Sequence, residues 1–377
     1  MKWTLSLIVI CLLSSCKTNN TKKHFSAQLI LSDKAFSKIK TKRNKALELD
    51  HLYHSSDDYV KGKFIHKGET LNVKTRLKGD HVDHLEGNRW SFRVVSKKPN
   101  LFNHYKISIQ GLATRSYLQE WVFHKLLKEE GLIHLQYELL EFSVNDTLDG
   151  VYVMESHFDN HLLDMSNRPY GPILKFDEDD FWNYGLNGWK GFNDDSVMVK
   201  SKIKITNKHW LKSNVMHKKL AKQAKEIIEN HRNKKGNIHR DFDLEKWATF
   251  IALNELTGIN HSLRWHNLRF YFNPESSKIE PVGFDNGTWF PKDYQMFFKE
   301  EHVECFYEEL FQDEVFSKLI LSEIQRISKT VYLDQFFEKY EPKLDSLVKI
   351  VQKEKADYKF WKSSYYKSQK RIKELLN

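Results

Sequence analysis

Asn267 and Asp285 are the residues whose types best suit chemistry. One offers an amide carbonyl and the other a carboxylate, the oxygen ligands that hard divalent cations prefer. A helix is predicted over Phe242 to Leu256, and Gly258 breaks it. A loop then ends at Asn267, and two alternating runs follow, Leu268 to Phe272 and Ile279 to Phe284. Asp285-Asn-Gly287 closes the second run. The plain alternative is a turn, since Asp, Asn and Gly are all turn formers, with Asn267 closing a strand or helix end. His261 and His266 raise a zinc site, but a separation of five does not place both on one helix face.

Several cations and acids accompany this pair. Lys78 lies in Arg76-Leu-Lys-Gly-Asp80 at the end of a predicted strand, where a permissive glycine lets a cation approach phosphate. Arg89 and Arg93 stand four apart on a strand and so share a face. Lys78, Arg89 or Arg93 can hold phosphates, or the three can belong to a solvated sheet face. Glu155 ends a strand, and Lys175 is embedded in Pro-Ile-Leu-Lys-Phe, where it needs an acid partner such as Glu120, Glu155 or Asp177. A Lys–Glu pair of this kind grips nucleotide phosphates. Asp80-His-Val-Asp-His84 reads as a polar loop, because four ligands in five residues cannot converge without a sharp turn. Residues 178–195 combine acids, glycines and aromatics without a period, and read as a lobe-linking insertion or a sugar-contacting loop around Trp189.

The elements that must position these side chains divide the chain. Strands are predicted near 25–31, 59–66, 70–77, 90–95, 104–110, 139–144 and 151–154, with helices near 32–49 and 116–130. Beyond Lys175 the chain is mainly helical, with a basic amphipathic helix over Met216 to His231 and several helices after Phe306, broken near Pro342. The expected class is α+β, with a β-rich lobe over 25–175, a helical lobe over 176–377, and a ligand cleft between them.

Composition bounds the partners. The 377 residues are 40% hydrophobic, which excludes global disorder, and a net charge of +10 favours anionic ligands. No long basic block or nucleic-acid motif appears, so nucleic acid is not expected as a partner. Lys2, the apolar run Leu5 to Leu13 and Leu13-Ser-Ser-Cys16 form a secretory signal that resembles the bacterial lipobox. It implies cleavage before Cys16, lipid on its thiol, a polar tether over 17–24 and an extracytoplasmic, membrane-anchored position. Cys305 is then the one remaining thiol of the mature chain, which can form no internal disulfide, and it reads as a small apolar residue.

The order helix, loop ending in Asn, hairpin, Asp-x-Gly is also that of protein kinases, in which the Asn and Asp hold Mg²⁺ against ATP. Arg76-Leu-Lys-Gly-Asp80, Arg89-Trp-Ser-Phe-Arg93, Asp149-Gly-Val-Tyr-Val-Met-Glu155, Pro172-Ile-Leu-Lys175, Asn267 and Gly283-Phe-Asp285 together resemble the CotH (spore coat protein H-like) kinase family over about residues 25–290. The resemblance implies a divergent, two-lobed protein-kinase-like fold that uses ATP with Mg²⁺ or Mn²⁺ on an envelope protein or glycan. The aspartate base expected five residues before Asn267 is replaced by Ser262, beside His261. His261 takes that role, or Glu255 reaches in from the helix end, or the chain is an inactive scaffold of the envelope.

Overall fold

The computed structural model describes residues 26–185, 194–211, 214–287, 296–299 and 305–376. The expected signal, Cys16, the tether and Trp189 lie outside the described residues. Among those described, no helix is long and apolar enough to cross a membrane.

Seven strands form the first half: β1 (Ala27–Ile30), β2 (Val60–His66), β3 (Glu69–Leu77), β4 (Phe92–Ser96), β5 (Lys106–Gly111), β6 (Tyr137–Val144) and β7 (Gly150–Ser156). Side chains alternate along each strand, so one set points inward and packs on itself. Phe64, Phe92, Val94, Ile107, Ile109, Phe142, Tyr152 and Met154 fill that interior. Lys67 and Gly68 both take positive φ, as the tight β2–β3 hairpin turn requires.

The strand order is β1-β2-β3-β4-β5-β7-β6, and β6 returns to pair in parallel with β1, so the sheet closes into a barrel. Asn145 clips this seam: its side chain accepts from the Leu31 amide at 2.7 Å and donates to the Leu31 carbonyl at 2.9 Å. The α+β class stands, but the protein-kinase-like two-lobed fold does not. A closed seven-strand barrel is not the lobe such a fold requires, and closure depends on pairing between residues more than 100 positions apart.

The second half is helical around a small antiparallel sheet. Strands β8 (Ile173–Phe176), β9 (Ile203–Ile205), β10 (Arg269–Asn273) and β11 (Lys278–Pro281) take the order β11-β10-β8-β9. Thus β8, which was not expected as a strand and falls at the end of the first lobe's expected bounds of 25–175, belongs to this sheet. The helix Leu244–Thr257 is apolar on nearly all sides and is buried accordingly. The helices Gln119–Glu129, Glu314–Ile327 and Lys362–Glu374 pack around it. Asp243 caps its start and Gly258, at φ 65°, ends it.

Two further expectations change. The helix Thr330–Val351 runs through Pro342, because Leu333, Phe336, Phe337, Leu344 and Leu347 bury its face and offset the proline's cost of about 3 kcal/mol. The aperiodic stretch near 178–195 carries helices Asp179–Gly185 and Asp194–Lys200 at its ends, with Phe181 packed into the helical core. Cys305 is half-buried beside that same core.

Candidate functional site

The outward faces of β3, β4, β5 and β7 are charged, and the second half of the chain covers them. In register across these strands lie Arg76, Arg93, Ser108 and Glu155, a single row on the barrel's outer wall. Between this row and β8, β10 and the loops around them is a cleft of about 730 Å³. Ten Lys and Arg side chains line it against six Asp and Glu, so its net charge suits a polyanion.

Its floor is a chain of buried charges. Lys78 donates to Gln110 Oε1 at 2.7 Å and stands 4.0 Å from Glu155 Oε1, which also accepts from Ser108 at 3.2 Å. Arg115 Nε lies between two carboxylates, 3.9 Å from Glu155 and 3.2 Å from Asp285. Burial pulls the Lys78 ammonium down to about 7, against the opposing pull of Glu155. Burial would raise the Asp285 carboxyl, but Arg115, His261 and Lys78 hold it far below the usual range. Glu155 is also lowered, its burial being outweighed by Lys78 and Arg115.

Asp285 sits in the left-handed region at φ 57°, a conformation Asp tolerates better than most residues. Glu120 fixes the turn beyond it: one carboxylate oxygen accepts from the Asn286 amide at 2.8 Å and the Gly287 amide at 2.6 Å. A side chain at Gly287 would meet the Arg115 carbonyl at 2.7 Å, so glycine is required for this close approach. His261 begins a short 3-10 turn, with Nδ1 2.9 Å from the Asp285 carbonyl oxygen. That nitrogen donates, which leaves Nε2 as the lone-pair nitrogen of the neutral ring, with the Asn267 amide nitrogen 3.2 Å from it as a donor. Asn267 donates to the His261 carbonyl at 3.0 Å.

The structure therefore brings Lys78, Arg93, Glu155, Lys175, His261, Asn267 and Asp285 to one cleft. It does not bring Arg89 or Glu255 there. Arg89 pairs with Glu354 at 3.1 Å outside the cleft, beside Gly111 and Gly150 at the ends of β5 and β7, where Glu354 also accepts from the Val151 amide and straps the tail to the barrel. Glu255 is buried in its helix and accepts from the Phe297 amide at 2.8 Å. Lys175 takes none of the three acids expected for it. It pairs with Glu178, which Arg269 also approaches at 3.5 Å, and Lys78 is the lysine beside Glu155. Ser262 turns away from the cleft and donates to Asn254 at 2.6 Å.

Arg115, Lys106, Glu178 and Arg269 line the cleft without having been singled out from sequence. Lys106 was legible in principle, since Lys106, Ser108 and Gln110 alternate with the inward Ile107 and Ile109. Arg115 sits in an aperiodic turn that offered no such signal.

Two buried acceptors in this floor, Asp285 Oδ1 and Glu155 Oε2, make no hydrogen bond and are held only by the longer ion pairs to Arg115, with His261 Nδ1 also 3.5 Å from Asp285 Oδ1. Among the described residues no three His, Cys, Asp or Glu side chains group to hold a metal by themselves. The donor set instead suits a hard cation that keeps one or two carboxylates and takes its other oxygens from phosphate and water. No protein-family model matches the chain, and no curated protein matches it.

Proposed function

We propose that this protein is an extracytoplasmic, lipid-anchored phosphotransferase that binds a nucleoside triphosphate such as ATP in the barrel–helix cleft. It passes the terminal phosphoryl group to a hydroxyl of an envelope protein or glycan. The observation that carries this reading is the buried sequence Lys78–Glu155–Arg115–Asp285, in which Glu155 Oε2 and Asp285 Oδ1 face Arg115 as ion pairs without a hydrogen bond to either oxygen. The CotH resemblance and the lipobox-like start point the same way. Asp285 and Asn267 would hold Mg²⁺ or Mn²⁺, whose charge offsets that of the phosphates.

Lys78 meets the phosphates as a cation that gains its proton when they arrive. His261 Nε2 faces the acceptor hydroxyl and takes its proton as the oxygen–phosphorus bond forms. The bond to the bridging oxygen breaks, and the nucleoside diphosphate leaves. Positioning and charge supply most of the acceleration in phosphoryl transfer, so an imidazole base suffices.

Label from γ-labelled ATP is expected in an envelope acceptor with Mg²⁺ or Mn²⁺. Asp285→Ala is expected to lower transfer by at least about 100-fold, in line with losing a principal electrostatic group. Equal transfer by the variant removes the assignment. A second reading, a nucleotide-binding scaffold without turnover, is favoured by Ser262, which is turned into the helix where a carboxylate base would stand. It predicts nucleotide binding with no label transferred by wild type or by His261→Ala.

A further inference from the structure

Among the ten Lys and Arg side chains of the cleft two sets contrast, with Arg76, Lys208 and Arg264 in neither. Lys78, Arg115, Lys175, Lys204 and Arg269 each stand within ion-pair distance of a cleft or rim carboxylate. Arg93 and Lys106 line the same cleft, yet among the described residues neither side chain has an ion pair or a hydrogen bond. They are also crowded by like charge. Arg76 is directly opposite Arg93 in the β3–β4 register, and Lys106 is diagonal to Arg93 across β4–β5. Burial together with Arg76 pulls the Arg93 guanidinium down to about 10, and burial together with Arg93 and Arg76 pulls the Lys106 ammonium down to about 7. Half-buried cations without a partner, crowded by like charge, are stabilised by an anion supplied from outside.

We infer that Arg93 and Lys106 dock an acidic peptide segment, which presents the acceptor hydroxyl to the inner floor. The spacing favours this ligand. Diagonal neighbours on paired strands lie about 7–8 Å apart, close to the roughly 6.6 Å between alternate residues of an extended chain. Acidic side chains two positions apart on an extended peptide therefore meet both cations. The proposal rests on the phosphotransferase reading for the peptide's role as acceptor, while the docking itself stands on the unpaired cations alone.

The test is fluorescence anisotropy with a labelled peptide carrying aspartates two positions apart beside a serine, against its asparagine analogue, at low ionic strength. Wild type is expected to bind the acidic peptide about tenfold more tightly, equivalent to about 1.4 kcal/mol. R93Q/K106M is expected to bind both peptides alike, and K106M alone to lose roughly half the preference on a logarithmic scale. An undiminished acidic preference in both variants overturns the proposal.

A thermal shift with Mg·ATP, run on the same proteins, separates the two readings. A shift retained in R93Q/K106M while the peptide preference is lost supports docking. Loss of both assigns these cations to the nucleotide's phosphates and overturns docking. A wild-type peptide preference with no Mg·ATP shift keeps docking and sinks the phosphotransferase reading.

Discussion

Along β4, β5 and β7, the residues Phe92, Val94, Ile107, Ile109, Tyr152 and Met154 point into the barrel, while Arg93, Lys106, Ser108 and Glu155 point out of it. The two faces share the same backbone, register and twist, and differ in their side chains and in what covers them. The inner face meets its own kind and becomes a packed core. The outer face is partly covered by the helical half, so charges that would be solvated on an open barrel are drawn out of water. The difference teaches that the first face supplies stability, and the second spends some of it on a preorganised, polyanion-seeking wall.

The sharpest break of this comparison is a cut into each face. Phe142→Ala opens a cavity inside the barrel and is expected to cost about 3–5 kcal/mol in urea unfolding. Arg115→Met keeps the volume of the floor but strands Asp285 and Glu155 without their shared cation. It is expected to cost about 3 kcal/mol. If the outer wall were an ordinary solvated face, that change would register less than about 0.5 kcal/mol.

A smaller effect is expected from Lys78→Met, and it is best read against pH. The folded-state pKa of Lys78 is about 7, below its usual 10.5. Between these values the unfolded chain binds a proton that the folded chain does not, so stability rises with pH across that window, by at most about 1.4 kcal/mol per unit for one group. Below about 7 the cost of the buried ammonium is fully present. Lys106 contributes in the same sense, also near 7. Lys78→Met is therefore expected to shift neutral-pH stability by less than about 1 kcal/mol, since Arg115 still faces Glu155, and to lower the rise between pH 7 and 10. Urea titrations at several pH values check this, and an unchanged rise would detach Lys78 from the buried floor.

The local part of the fold was legible. Alternation in Tyr59 to Leu77 and the Lys67-Gly68 turn specify a hairpin, and the helices near 33–48, 119–129 and 244–257 follow from their periodicity and caps. Closure of the barrel was not, because the parallel contact between Ala27–Leu29 and Phe142–Val144 leaves no trace in either strand's own pattern. The site divides in the same way. Asn267, Asp285 and His261 announce themselves by residue type around a hairpin, and they meet in one cleft. Arg89 and Arg93 share a spacing argument, yet Glu354 from the far end of the chain claims the first while the second faces the cleft. Arg115 could be found only in three dimensions, where it bridges two carboxylates from distant strands and loops.

The central claim is that the charged outer wall of the barrel, closed by Asp285, binds a metal–nucleoside triphosphate. The measurement that tests it most directly is the unfolding midpoint with and without Mg·ATP, for wild type and Asp285→Ala, because ligand binding to the folded state raises the midpoint by mass action. A rise in wild type that is absent or strongly reduced in Asp285→Ala is the predicted result. No rise with any nucleotide and cation, or an equal rise in both proteins, would contradict it.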